Sequence, residues 1–248
     1  MWRTLLISAR FLTRLPLPDP GPVGGSDVGR SAAFYPLVGL IVGLLLWGMS
    51  QVLTWLGISD KELSAALLLV LWVWLTGGLH LDGLADTADA WIGGLGERRH
   101  TLEIMKDSRS GPFAIMALTL VLLCKWAGIA ALDGTGAAGS LIWIPVLARA
   151  HLLLLLLTTP CARSAGMGRE VGAHLPHAAA WVAMVTTLIS SLLFFGSAVL
   201  VPIGAGGVLF LRWRRSMVTR LGGFTGDTAG ALVELSETVM LTAAALSL

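Results

Sequence analysis

Asp82, Asp86 and Asp89 stand in the run Thr-Gly-Gly-Leu-His-Leu-Asp-Gly-Leu-Ala-Asp-Thr-Ala-Asp (76–89), directly after an apolar stretch long enough to enter a membrane. Spacings of four and then three put the three carboxylates on one face of a helix. Like charges stacked in this way repel unless a cation lies among them. A carboxylate beside hydrocarbon is costly unless it is paired, metal-bound or facing water. Further along come Glu103, Lys106, Asp107 and Arg109, with Glu103 and Asp107 again four apart and expected on one helical face. Two helices that each present acids at i and i+4 suit one hard cation. Oxygen ligands without a His/Cys cluster favour magnesium over zinc. Lys106 and Arg109 are then expected to hold phosphate oxygens. Acids for a metal and bases for phosphate are the parts of a phosphoryl-transfer site.

Each of these side chains also has a plainer explanation. Local pairing in a solvated loop would account for Glu97, Arg98, Arg99, Glu103 and Lys106. His80 suits a helix-end hydrogen-bonding group, or a substrate contact. Arg30, just ahead of Phe-Tyr-Pro-Leu-Val-Gly (34–39), suits either a phosphate contact or a headgroup anchor. A second polar island, Arg220 to Gly230, offers Thr225 or Asp227 as the cap of the following helix. Glu234 lies seven residues beyond Asp227 on the same face, which predicts that this stripe faces the interior and shares the metal site.

The elements that position these groups follow from composition. The chain of 248 residues is 55% hydrophobic and only 13% charged, with a mean hydropathy of +0.80. A soluble domain is near a quarter charged, so this reads as an integral membrane protein. One domain over residues 1–248 is expected, all-α and polytopic, with an acidic metal site at the cytoplasmic face. Seven spans are predicted at about 35–56, 62–79, 112–132, 138–158, 178–196, 198–211 and 229–247. The sixth is short and carries Pro202, so fusion with the fifth around Gly196 is the competing reading. Charge favours seven. All but three of the 17 Lys and Arg then fall on one side, with Lys61 opposite and Lys125 and Arg149 within spans. The positive-inside rule makes that side the cytoplasm and puts the N-terminus there.

Arg10 and Arg14 interrupt what would be the apolar core of a cleavable signal, so none is expected. The first residues instead suggest a short helix in the inner interface, closed by Pro16, Pro18 and Pro20, or an ordinary basic flank. Cys124 and Cys161 form neither a metal-spaced pair nor a disulfide framework. Gly39 and Gly43 make a small-xxx-small pair for close helix packing, and the Trp residues lie mostly toward span ends.

Gly77-Gly-Leu-His-Leu-Asp-Gly-Leu-Ala-Asp-Thr87, Glu103-Ile-Met-Lys-Asp-Ser-Arg109 and Gly222-Gly-Phe-Thr-Gly-Asp227 together resemble the adenosylcobinamide-GDP ribazoletransferases, or cobalamin synthases. Arg10-Phe-Leu-Thr-Arg-Leu-Pro16 and Phe34-Tyr-Pro-Leu-Val-Gly39 are similar as well, so the resemblance covers nearly the whole chain. Phe224 and Ala90 depart from the more polar and smaller residues expected. The resemblance implies a magnesium-dependent, multi-pass inner-membrane enzyme with its active site toward the cytoplasm. It would join adenosylcobinamide-GDP to α-ribazole or its 5′-phosphate and release GMP. Asp82 and Asp86 would bind magnesium, with Asp107 a further ligand or the general base. Asp89 and Glu103 would complete the acidic shell, Lys106 and Arg109 would hold the pyrophosphate, and Asp227 would orient the ribazole hydroxyl. No nucleic acid is expected as a partner, and a homo-oligomer in the bilayer is compatible with the pattern. Two competitors share features of the site: a CDP-alcohol phosphotransferase of phospholipid synthesis and a cation-coupled transporter.

Overall fold

With no water to satisfy exposed peptide groups, apolar runs must close their own hydrogen bonds, and helix dominates the chain. The computed structural model describes residues 1–107, 109–133, 139–164 and 166–247, so the 138 edge of the fourth predicted span lies outside the described residues. The helices are α1 (Trp2–Leu12), α2 (Gly25–Ser31), α3 (Tyr35–Trp55), α4 (Lys61–Thr76), α5 (Leu79–Gly93) and α6 (Arg98–Ile104). They continue with α7 (Pro112–Leu132), α8 (Ser140–Thr158), α9 (Met167–Ala173), α10 (His177–Phe195), α11 (Leu200–Leu221) and α12 (Gly226–Leu246). Among the described residues the only extended pairing is an isolated parallel bridge between Cys161 and Phe224.

Five helical stretches are long and apolar enough to cross a membrane: Gly25–Trp55, Pro112–Leu132, Ser140–Thr158, His177–Leu221 and Gly226–Leu246. A sixth qualifies only when α4 and α5 are taken together, across a bend of 88°. The predicted fifth and sixth spans form one 45-residue helical stretch, broken by a 3-10 turn at Gly196–Val199. At ~1.5 Å per residue such a stretch would be more than twice a ~30 Å hydrocarbon core. The break in the middle of this stretch and its C-terminal part meet opposite ends of α8. The Phe195 ring lies 6.4 Å from Trp143, near the start of α8. Arg214 donates to Thr158 O at 2.6 Å and Thr159 Oγ1 at 3.0 Å, at the end of α8.

Tight packing centres on α3, α8 and α12. A Cβ on Gly39 or Gly43 would sit 2.4 Å from Pro145 O or 2.3 Å from Ile142 O, so the expected small-residue pair lets α3 lie directly on α8. α1 is a separate helix that buries Leu6, Ile7, Ala9 and Leu12 while Arg3 and Arg10 stay exposed. Arg3 pairs with Asp27 at 3.3 Å. Both cysteines are free thiols.

Three acid–base partnerships lie deep in the bundle. Lys125 on α7 donates to Glu234 at 2.7 Å and to Glu237 at 2.6 Å, both on α12. Arg149 on α8 donates to Glu237. This corrects one expectation: Glu234 is not left free for a metal, because a buried lysine pairs with it. Next to the cluster, His151 Nδ1 and Ser236 Oγ lie 3.0 Å apart.

Candidate active site

The site begins where α4 stops. Gly77 and Gly78 take φ of +61° and +70°, a left-handed pair open to glycine at little cost, and the chain swings through 88° into α5. One face of α5 then presents Asp82, Asp86 and Asp89, as their spacing predicts. α12 meets this helix at Gly83, where a Cβ would lie 2.7 Å from Asp227 O. The missing side chain brings Asp227 up to the α5 carboxylates.

Thr225 takes the capping role at the start of α12, its hydroxyl accepting Thr228 N–H at 3.2 Å. Asp227 is thereby left facing the site, and its Oδ2 accepts a hydrogen bond from Arg163 Nη2 at 2.8 Å. The pairing of Pro160–Ala162 with Phe224 holds Arg163 there. Ala162 N–H donates to Phe224 O at 2.8 Å and Phe224 N–H to Pro160 O at 2.9 Å. Sequence reasoning gave Arg163 only a topological role; its 64-residue separation from Asp227 left no local signal. Asp82 is exposed and makes no side-chain hydrogen bond or ion pair among the described residues. Asp86 is partly buried in the field of Asp82, Asp227 and Asp89, opposed by Arg163.

The remaining predicted residues are placed differently from one another. Asp89 works as a cap for α7. It accepts backbone N–H from Gly111, and from Ala114 at 2.9 Å, which occupies both carboxylate oxygens. Glu103 and Asp107 do not share a helical face, because α6 ends at Ile104. Glu103 is exposed and paired with Arg99 at 3.0 Å. Asp107 accepts from Arg109 Nη2 at 2.7 Å and Nε at 3.0 Å. That side-chain bonding and the Arg109 backbone N–H hold its carboxyl down at about 2. Lys106 lines a shallow surface hollow with Arg98, Arg99 and Glu103. The segment from Met105 to Gly111, of which Ser108 lies outside the described residues, is tied at both ends to the site. Thr225 Oγ1 donates to the Met105 sulfur at 3.8 Å, and Gly111 bonds Asp89. Arg30 is exposed on α2, with no side-chain hydrogen bond or ion pair among the described residues.

His80 and Asp82 on α5 and Asp227 on α12 line one cavity of about 220 Å³. Its other walls are mostly apolar. Among the described residues, no three His, Cys, Asp or Glu side chains are gathered closely enough to hold a metal ion unaided. Magnesium asks for only one or two protein carboxylates and shares its other positions with water and substrate phosphate. Asp82 and Asp86, one turn apart on α5, are carboxylates that could serve in that way.

Comparison with known proteins completes the picture. A family model described as cobalamin-5-phosphate synthase matches residues 4–245. A protein of Ectopseudomonas mendocina (strain ymp) named adenosylcobinamide-GDP ribazoletransferase is 48% identical over 243 residues, covering 98% of each chain. Relatives of the same name from Pseudomonas aeruginosa (strain PAO1) and Pseudomonas putida (strain KT2440) are 49% and 48% identical, again over 98% of each chain. No solved structure matches.

Proposed function

The chain belongs to the cobalamin-5-phosphate synthase family, and from that membership we propose how it works as an adenosylcobinamide-GDP ribazoletransferase. A ribose hydroxyl of α-ribazole, or of its 5′-phosphate, attacks the phosphorus that joins cobinamide to GMP. One P–O bond forms to the ribose oxygen, the bond to GMP breaks, and the hydroxyl proton passes to a base. The observation that carries this reading is the meeting of Asp82 and Asp86 with the Asp227–Arg163 pair, with Asp82 and Asp227 lining one cavity.

Asp82 and Asp86, with Asp227 close by, would hold magnesium, which supplies charge neutralisation on the transferring phosphate and the departing GMP. Arg163 adds a fixed guanidinium beside the same phosphate, and the first turn of α12 presents N–H groups to it. Lys106 and Arg109, on the segment tethered at Met105 and Gly111, take the outer phosphate. Asp107 is a poor base while Arg109 holds its carboxyl low. Asp227 is the better group to orient the ribose hydroxyl and accept its proton. Asp89 supports the site by fixing the start of α7, and Glu103 stays at its solvent edge.

The deciding experiment is GMP release by purified protein given adenosylcobinamide-GDP and α-ribazole. Release is expected with magnesium and should fall to background when the metal is chelated and recover when it is restored. Turnover unaffected by chelation would remove the metal from this account. CMP formed from CDP-diacylglycerol and an alcohol, with no GMP from the corrinoid, would favour the phospholipid enzyme instead.

Seven crossings with the N-terminus in the cytoplasm fit the charge pattern, α10 and α11 being two passes joined at Gly196–Val199. Arg212, Arg214, Arg215 and Arg220 then fall on the same side as Arg3, Arg10 and Arg14. That side also carries the α5 carboxylates, so the reaction faces the cytoplasm at the inner membrane.

Gly83→Ala tests the α5–α12 contact. A methyl group 2.7 Å from Asp227 O must push the helices apart. Misplacement by as little as about 1 Å can cost 10²-fold in rate. GMP release should therefore fall by about that factor in protein that still elutes as a folded species. Wild-type turnover in Gly83→Ala would show that the contact is not needed for catalysis.

A further inference from the structure

His80 opens the first turn of α5 and is only 2% exposed. Neither ring nitrogen has a hydrogen-bond partner among the described residues. Buried polar groups are nearly always bonded, so an orphan of this kind calls for an explanation. It lines the cavity of about 220 Å³ that also holds Asp82 and Asp227. Leu12, Tyr35, Leu152, Leu156, Val171 and Phe224 supply much of the remaining wall. An apolar cavity of about 150 Å³ is enough for benzene, so this one has room for a fused bicyclic ring but not for a corrin macrocycle.

We propose that this cavity seats the base of the acceptor nucleoside, an apolar fused-ring heteroaromatic N-linked to ribose, and that His80 donates a hydrogen bond to its one free ring nitrogen. The assignment deepens the ribazoletransferase reading and rests on it. The benzimidazole of α-ribazole has the required chemistry: flat, apolar, and with one ring nitrogen carrying a lone pair once the other is bonded to the sugar. The guanine of the leaving nucleotide does not. Its edge carries several donors and acceptors, and a pocket with a single buried imidazole would leave most of them unpaired. A neutral imidazole offers one N–H and one lone pair, so a single acceptor atom on the ligand satisfies its donor. With the base against His80, the attached ribose lies at the end of the cavity where Asp82 and Asp227 wait.

The test is calorimetric binding of α-ribazole to the full-length protein in detergent, without corrinoid. His80→Leu is expected to weaken binding about tenfold, the worth of one hydrogen bond in a dry site. His80→Gln keeps an N–H donor and should stay within about threefold of wild type. Leu156→Phe fills the cavity and should abolish binding. An α-linked indole riboside, in which C–H replaces the free ring nitrogen, should bind wild-type protein about tenfold more weakly than its benzimidazole counterpart. That comparison uses no variant and so survives any failure of His80→Leu to fold. Equal binding of the two ribosides by wild-type protein, or normal α-ribazole binding by Leu156→Phe, overturns the proposal. If the His80-dependent binding appears but no GMP is ever released, the cavity assignment stands and the reaction assignment falls. If GMP is released while the two ribosides bind equally, the cavity assignment alone falls.

Discussion

Asp82→Asn is expected to cut GMP release by about 10²–10³-fold, the scale on which removing one preorganised electrostatic group slows a reaction. Little else should change. Asp82 is exposed, no side-chain bond or ion pair ties it down among the described residues, and asparagine keeps its shape. Substitutions of this kind usually move stability by no more than about 0.5 kcal/mol. The variant also loses a negative charge that opposes Asp86 and Asp227, so it should fold as well as the parent. Thermal melting in detergent and single-turnover GMP release, measured on the same preparation, separate the two effects. A variant that melts normally and still turns over would remove Asp82 from the reaction.

The second large effect concerns stability. Lys125 is 1% exposed and bridges Glu234 and Glu237, while Arg149 answers Glu237 from α8. Its ammonium also lies 4.5 Å from the centroid of the Trp72 ring. Two cations and two carboxylates make the cluster neutral, and Lys125→Met would leave Glu234 charged and alone. Removing one partner of a buried pair costs about 3–5 kcal/mol, mostly from the orphaned charge. Lys125→Met should therefore melt far below wild type or fail to survive extraction. Lys125→Met combined with Glu234→Gln removes one charge of each sign and should recover much of the loss. If the single variant melts like wild type, or the pair melts no higher than the single variant, the cluster does not hold the bundle together as described.

How far the sequence reached depends on the range of the interactions involved. α5 and its aspartate face follow from spacing alone, and membrane character from apolar run length. The Gly39–Gly43 contact with α8 also has a local signature. Asp227 was legible as part of a polar island, but not the division of labour with Thr225, since either side chain suits a cap. Asp89 illustrates the opposite failing. Its place in the acidic row gave no hint that Gly111 and Ala114, more than twenty residues on, would occupy both its oxygens. Glu103 and Asp107 were assigned to one face by assuming that helix continued past Ile104. Glu234 looked like a ligand because its partner, Lys125, is 109 residues away. Periodicity reports what lies within a turn or two of a residue and is silent on which distant charge will answer it.

The neutral cluster has a consequence for how the chain is made. Lys125 and Arg149 leave the ribosome well before Glu234 and Glu237, which sit in α12. Until that helix is inserted, α7 and α8 each bring an unanswered positive charge toward lipid. The cluster is thus completed only once α12 arrives. A polypeptide cut short before Gly226 would carry two stranded cations in α7 and α8, and should settle in the bilayer less readily than one that includes α12.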